Sequence, residues 1–245
     1  MAREGAGSRP ADAGARAVVR FYLWVGGLSL LLMAWLTPPF QVPDEPQHFY
    51  RSYQLSLGEM RSSVRNGEAG TELPASLPEL ALRFLGSTAH HVNGRRLTRL
   101  PAADTFKQFQ VPLEPERQVF VDFSGSAQYA PLPYLPQALA MAALRPLGVG
   151  PLGLLYAGRM ANALAALAVT AWALSLLRTG RLFALVIALL PMTQFVTASL
   201  SPDALTIACG LAVTALLLRF IEDGRWPLSR QLGFVAHGLM LSIGR

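Results

Sequence analysis

Long apolar runs alternate with polar stretches along this chain, and the lengths of the apolar runs predict membrane-spanning helices. The first run, residues 17–36, ends at the breaker Thr37-Pro38-Pro39. About 20 apolar residues in a helix cross a hydrocarbon core of ~30 Å. Further runs at residues 152–177, 182–200 and 204–220 are also long enough, and a shorter one at 231–243 reads as a partial span. The pattern therefore predicts an all-α, polytopic transmembrane helix bundle.

Two polar segments flank the first apolar run. Residues 1–16 are rich in Gly, Ala and Arg and are predicted to form a disordered tail. Residues 37–130 form a large loop that we expect to contain surface helices. One of these is predicted from Asp44, which could cap it, to the helix-ending Gly58.

A proline-rich segment precedes the second long run. Residues 131–147 include three prolines near their start, which leave room for only a short helix. Residues 132–144 would reach roughly 20 Å as a helix, which is too short to cross the membrane. We therefore expect an interfacial helix that lies on the membrane surface.

The composition supports a membrane protein whose main partner is the lipid bilayer. The chain is 52% hydrophobic and 15% charged, with a mean hydropathy of +0.34. Its net charge of +6 comes from Arg residues scattered between apolar runs, which excludes a nucleic-acid partner. The single cysteine, Cys209, excludes an intramolecular disulfide and a cysteine-based metal site.

The distribution of Arg predicts the orientation of the spans. Basic residues occur in the N-terminal tail, in the turn Arg178–Arg181 and between Glu222 and Arg230, whereas the turn Ser201–Asp203 has none. Basic loops stay preferentially in the cytoplasm. This predicts a multi-pass protein with a cytoplasmic N-terminus and an extracytoplasmic 37–130 loop.

Acidic residues near the predicted outer surface are the main candidates for chemistry. Asp44 and Glu45 follow the first span, and Asp203 precedes another. Carboxylates there could act as general bases or ligate a divalent cation, and helix capping is the alternative interpretation for each. His48 could assist as a second base, although a solvated helix residue would look the same in sequence.

Arg159 and two tyrosines are the candidates for substrate binding. Arg159 lies inside an apolar run, where a charge is costly and usually faces a cavity or a partner. A phosphate clamp and a structural pair with a carboxylate both fit. Tyr129 and Tyr134 could line a substrate groove or belong to an aromatic belt at the interface.

Short motifs follow one another in a distinctive order. They are Pro39-x-x-x-Pro43-Asp44-Glu45-x-x-His48, Tyr129-x-Pro-Leu-x-Tyr-Leu-Pro136, Gly158-Arg159-Met-x-Asn162, Leu190-Pro191-Met192 and Ser199-x-Ser201-Pro202-Asp203-Ala204. In this order and spacing the chain resembles the domain of unknown function 2142 family of bacterial membrane proteins, within the GT-C superfamily of glycosyltransferases. The match extends over residues 17–204.

The resemblance implies a function in the bacterial inner (plasma) membrane. It implies a glycosyltransferase that moves a sugar from a polyprenyl-phosphate donor to a cell-envelope acceptor, which could be a glycan, a lipid or a protein. Asp44 and Glu45 would supply the essential acid of the first outer loop, Asp203 a second acid, and Arg159 the cation near the donor phosphate. Such proteins usually have ten or more spans, so the chain is expected to correspond to their N-terminal half. A transporter or lipid-handling protein without transferase activity is the alternative.

Overall fold

The computed structural model describes residues 10–85 and 102–223. Short 3₁₀ turns at Gln108–Gln110, Leu132–Tyr134 and Arg145–Leu147 join some of its elements. In chain order the described elements are α1 (Pro10–Leu36), α2 (Glu45–Ser56), β1 (Ser63–Arg65), β2 (Glu68–Pro74), α3 (Ser76–Leu85), α4 (Ala102–Lys107), β3 (Gln118–Asp122), α5 (Ser124–Ala127), α6 (Leu135–Leu144), α7 (Pro151–Leu176), α8 (Arg181–Ala188), α9 (Pro191–Thr197) and α10 (Asp203–Asp223).

Three described helices are long and apolar enough to cross a membrane. They cover Ala13–Leu36, Pro151–Leu176 and Asp203–Asp223. They coincide with three of the predicted runs, and the all-α membrane fold class is confirmed. The predicted partial span at 231–243 lies outside the described residues. Residues 10–16 belong to α1, so the part of the expected disordered tail that the structure describes is helical.

The predicted span at 182–200 is not one helix, which corrects the sequence prediction. It consists of α8 and α9, separated at Leu189 and Leu190. The cause is Pro191, which has no N–H to donate and forces the residue before it out of the helical region. Leu190 accordingly has an extended ψ of 136°. The amide Nε2 of Gln194 donates to the carbonyl of Ala188 at 2.7 Å and satisfies part of the broken helix.

Small side chains allow the long helices to pack closely. α7 lies between α1 and α10 and contacts both along its length. On α10 the buried face that meets α7 is formed by alanines, because a methyl side chain lets two backbones approach. The buried residues of α10 are Leu216 and the four alanines Ala204, Ala208, Ala212 and Ala215.

The large loop contains a small antiparallel sheet that the sequence analysis did not predict. β2 is its central strand, paired with β1 on one side and β3 on the other. Gly70 permits this pairing, because a Cβ there would lie 1.9 Å from the carbonyl oxygen of Val121. The strands are short and carry little of the regular alternation that marks a half-buried strand. The buried side chains of α2 and α3 pack against the sheet and against the start of α7.

The helix α6 lies alongside α2. Tyr134, just before α6, bonds to His48 near the start of α2, while Arg145, just after α6, donates to the carbonyl of Ser56 at the end of α2. Both ends of α6 therefore contact the same helix of the loop. Its placement on the membrane surface stays a prediction.

The fold brings the start of the large loop and the turn before α10 to the same end of the bundle. The end of α1, the first half of α7 and the start of α10 meet there, through bonds between Arg159 and the carbonyls of Ala34 and Thr37 and between Asn162 and Ser201. Arg178 and Asp223 pair at the opposite end. This arrangement places the loop that begins at Thr37 beside the Ser201–Asp203 turn.

Candidate functional site

A polar cavity of about 280 Å³ lies where the large loop meets the turn before α10. It brings together four residues that the sequence analysis singled out, although they lie far apart in the chain: Asp44, His48, Tyr129 and Asp203. Its polar lining consists of Asp44, Gln47, His48, Tyr129, Ser201 and Asp203.

Asp44 presents an exposed carboxylate to this cavity. It precedes α2 in a left-handed backbone conformation, with φ 57° and ψ 8°, and its side chain makes no capping hydrogen bond. Left-handed backbone is uncommon for residues other than Gly and is best tolerated by Asn and Asp. The expectation that Asp44 caps the helix with its side chain is therefore wrong, and the carboxylate remains available to the cavity.

His48 lies one turn further along α2 and is held by a buried tyrosine. Its Nδ1 lies 2.8 Å from the hydroxyl oxygen of Tyr134, which is fully buried. Burial lowers the pKa of His48, while the nearby carboxylates of Asp203 and Asp44 raise it by smaller amounts. The imidazole is therefore largely neutral at pH 7. Tyr134 does not line the cavity and contacts it only through His48, so its role in binding substrate stays a prediction.

Glu45 points away from the cavity and into the protein. Both of its carboxylate oxygens bond to Arg159, at 2.8 Å from Nε and 2.6 Å from Nη2, and neither side chain is exposed to solvent. Its oxygens also accept from the backbone N–H groups of Phe40 at 2.9 Å and Leu200 at 3.3 Å. Glu45 therefore joins α2 to the segment after α1, to α7 and to the turn before α10.

The guanidinium of Arg159 has an acceptor for each of its five N–H groups. Two go to Glu45, and the others go to the carbonyl oxygens of Ala34, Thr37 and Pro38 at 2.8–3.2 Å. A phosphate could bind here only by displacing these partners. This arrangement fits the interpretation of Arg159 as a structural pair with a carboxylate, and it does not fit the phosphate clamp.

Two amides and a glycine hold the turn that carries Asp203, and the sequence analysis did not single them out as functional. The Nδ2 of Asn162 donates to the carbonyls of Ser199 and Ser201 at 2.8 and 2.9 Å, and the Nε2 of Gln137 donates to that of Leu200 at 3.3 Å. A Cβ on Gly158 would lie 2.6 Å from a methyl of Leu200. For Asn162 a signal was available in the sequence. It is an amide within an apolar run, and because it follows Arg159 by three residues it lies on the same helix face.

Gln47 is a further cavity residue that the sequence analysis missed. Its Oε1 is buried and has no hydrogen-bond partner, although the residue lines the cavity. Gly125 leaves room for it, because a Cβ there would lie 2.3 Å from this oxygen. An unpaired buried acceptor next to a cavity is suited to a donor group on a bound molecule.

The described lining of the cavity includes two carboxylates and no Lys or Arg. Within residues 10–85 and 102–223, no group of three or more His, Cys, Asp and Glu side chains is arranged to hold a metal ion. The carboxylates of Asp44 and Asp203 can accept protons and hydrogen bonds from a molecule in the cavity.

In the comparison with known proteins, a family model described as "Predicted membrane protein (DUF2142)" matches residues 28–242. No curated protein and no solved structure matches the chain. The matched residues include the end of the first described span, all of the other two, both acidic segments of the cavity and the buried pair of Glu45 and Arg159. The chain therefore belongs to the DUF2142 family of predicted membrane proteins.

Proposed function

We propose that the protein is a GT-C-like glycosyltransferase that moves a sugar from a polyprenyl-phosphate donor to a cell-envelope acceptor. The observation that carries this proposal is the single cavity shared by Asp44, His48 and Asp203 at one end of a membrane helix bundle. The resemblance of the motifs to GT-C enzymes, which have acids in their first and second outer loops, supplies the reaction class.

The orientation of the protein in the membrane is part of the proposal. The Arg-bearing turn at 178–181 lies at the end of the bundle opposite the cavity. By the preference of basic loops for the cytoplasm, the cavity then faces the extracytoplasmic side of the bacterial plasma membrane. A lipid-linked donor and an envelope acceptor meet on that side.

Asp44 is the proposed general base because its carboxylate is exposed in the cavity and unpaired by any capping bond. It takes the proton of the acceptor hydroxyl as that oxygen forms a bond to C1 of the sugar. The bond from C1 to the phosphate oxygen breaks, and polyprenyl phosphate leaves with the electron pair. The imidazole of His48 and the carboxylate of Asp203 orient the acceptor through hydrogen bonds to its other polar groups.

Glu45 and Arg159 have a different role in this proposal from the one expected from sequence. Their buried pair fixes the backbone at Phe40 and Leu200, which shortly precede the cavity residues Val42 and Ser201. They thereby position Asp44 and Asp203 and do not contact the reacting groups. The donor phosphate is assigned to no described side chain.

The proposal is tested by measuring transfer in membrane vesicles from cells that express the protein. Vesicles are supplied with a panel of polyprenyl-phosphate sugars labelled in the sugar, and label is followed into glycan, lipid and protein fractions. We expect incorporation from at least one donor, and none in vesicles that lack the protein. Absence of incorporation from every donor, with the protein correctly inserted, would contradict a transferase.

The break between α8 and α9 is the observation that favours the alternative function of transport. Discontinuous helices often form the substrate sites of secondary transporters near the middle of the membrane. The acidic cavity, however, lies at the end of the bundle and not at this break. Uptake of labelled lipid-linked sugar into vesicles without its hydrolysis or transfer would identify a transporter in the same assay.

A further inference from the structure

Gln47 is held on the wall of the polar cavity by two successive residues of α5. The hydroxyl of Ser126, which is fully buried, donates to the backbone carbonyl of Gln47 at 2.9 Å. Gly125 leaves space for the side chain, because a Cβ there would lie 2.3 Å from Oε1 of Gln47. The main chain and the carboxamide of Gln47 are therefore both positioned by the same short helix.

This positioning leaves the side-chain oxygen of Gln47 without a hydrogen bond. Within the part of the chain that the structure describes, no donor reaches the buried Oε1, although Gln47 lines the cavity. A buried acceptor without a donor destabilises the folded protein, because it has lost its hydrogen bonds to water. An apolar side chain of similar length would fill the same space without this penalty. The amide is therefore best explained by a ligand that supplies the missing donor.

The rest of the cavity lining indicates the kind of ligand. Asp44 and Asp203 present carboxylates, and the described lining has no Lys or Arg, so an anionic group such as phosphate would be repelled. The side chain of Tyr129 is 47% exposed, and its ring lies at 29° to that of His48 with centroids 6.2 Å apart. An aromatic ring among several acceptors suits a sugar, which has an apolar C–H face and a rim of hydroxyl donors. The volume of about 280 Å³ lies near the lower end of the range for small-molecule sites, about 300–1,000 Å³, and suits a single ring.

We propose that Gln47 is a specificity-determining residue, whose Oε1 accepts a hydrogen bond from one hydroxyl of a sugar ring in the cavity. This role rests on the proposed function, because that function identifies the ligand as a sugar. A sugar that lacks the hydroxyl leaves Oε1 unpaired and binds less tightly. Gln47 thus selects among sugars and takes no part in proton transfer, which is assigned to Asp44.

Direct binding of simple sugars to the full chain in lipid nanodiscs tests this role without requiring transfer. The probes are methyl glycosides of common hexoses and pentoses with their monodeoxy analogues, and saturation-transfer NMR measures their binding. We expect at least one glycoside to bind, and one of its deoxy analogues to bind at least about tenfold more weakly. Gln47→Met should bind both members of that pair equally weakly. Absence of binding by every glycoside, or the same discrimination in Gln47→Met, would overturn the proposal.

Melting temperatures separate hydrogen bonding to a ligand from a role in folding. Gln47→Met should raise the melting temperature of the ligand-free protein by at least about 2 °C, because it removes an unpaired buried acceptor. Gln128→Met, at the exposed end of α5, should change neither the melting temperature nor binding. A lower melting temperature for Gln47→Met would overturn the proposal, since the amide would then serve the fold.

Gly125→Ala tests the position of the amide while leaving Gln47 in place. The added methyl would lie 2.3 Å from Oε1, so the flexible end of the Gln47 side chain must move. Discrimination between the sugar and its deoxy analogue should fall as in Gln47→Met, without a loss of stability. Full discrimination in Gly125→Ala would contradict a hydroxyl bound at this position of Oε1.

The transfer assay in vesicles distinguishes failure of this proposal from failure of the proposed function. Sugar binding that depends on Gln47, without transfer from any donor, would refute the reaction and leave Gln47 in a sugar-binding site. Transfer with the same preference for donors and acceptors in the wild type and in Gln47→Met would refute the role of Gln47 alone. A changed preference among donors would place the transferred sugar at Gln47, and a changed distribution of label among acceptors would place the acceptor there.

Discussion

Glu45 and Arg159 form a fully buried, doubly hydrogen-bonded ion pair between α2 and α7, across 114 positions of sequence. Removing one partner from such a pair leaves an uncompensated buried charge, which costs about 3–5 kcal/mol. The pair is therefore one of the contacts that fix the large loop to the membrane helices, beside the apolar packing of α2 and α3 against α7.

Glu45→Gln is expected to lower the free energy of unfolding by several kcal/mol, because the guanidinium of Arg159 would lose its counter-charge. The matched control is Glu72→Gln, since Glu72 pairs with Arg65 on an exposed surface. Exposed pairs contribute only about 0–1 kcal/mol. Thermal unfolding in detergent measures both, and equal losses in the two variants would contradict a structural role for Glu45.

Gly158→Ala is expected to destabilise the protein by about 1–3 kcal/mol, because its Cβ would meet the side chains of Leu200 and Met141 in a packed core. Gly210→Ala is the control, since nothing lies within 4 Å of a Cβ there and Ala favours a helix by about 1 kcal/mol over Gly. The same unfolding assay applies. A stabilising Gly158→Ala would mean that α6, α7 and the turn at Leu200 do not pack as described.

The stability of the protein should fall as the pH drops below the ordinary pKa of histidine, about 6.5. Burial lowers the pKa of His48 in the folded state, so the unfolded state binds more protons and is favoured as the pH falls from 6.5 toward the folded pKa. His48→Gln should reduce the difference in melting temperature between about pH 7.5 and about pH 5.5. An unchanged or larger difference in this variant would contradict the burial of a neutral imidazole.

Cysteine labelling tests the orientation of the protein in the membrane. Cys209 is first replaced by Ala, and single cysteines are then introduced at Asn66, in the turn between β1 and β2, and at Thr179, at the opposite end of the bundle. A membrane-impermeant reagent added to intact cells should label position 66 and not position 179, because the Arg-rich turn favours the cytoplasm. The reverse pattern would place the cavity inside.

The sequence was informative about the helices because apolar periodicity and length report directly on membrane spans. It also identified Asp44, His48, Tyr129 and Asp203, which line one cavity. It could not separate Asp44 from its neighbour Glu45, since a left-handed backbone at Asp44 sends one carboxylate to the cavity and leaves the next buried. That difference arises from tertiary contacts with Arg159, which no local pattern contains. Pro191 was visible in the sequence, but the apolar run around it concealed the break.

The central claim is that the cavity carboxylate of Asp44 acts as the base in sugar transfer. The most direct measurement is the initial rate of transfer by Asp44→Asn in vesicles, with the amount of inserted protein matched to the wild type. Asp223→Asn, the same chemical change at the opposite end of the bundle, is the control. The account predicts a loss of about 10²–10⁴-fold for Asp44→Asn and little change for Asp223→Asn. Wild-type rates in Asp44→Asn would contradict it.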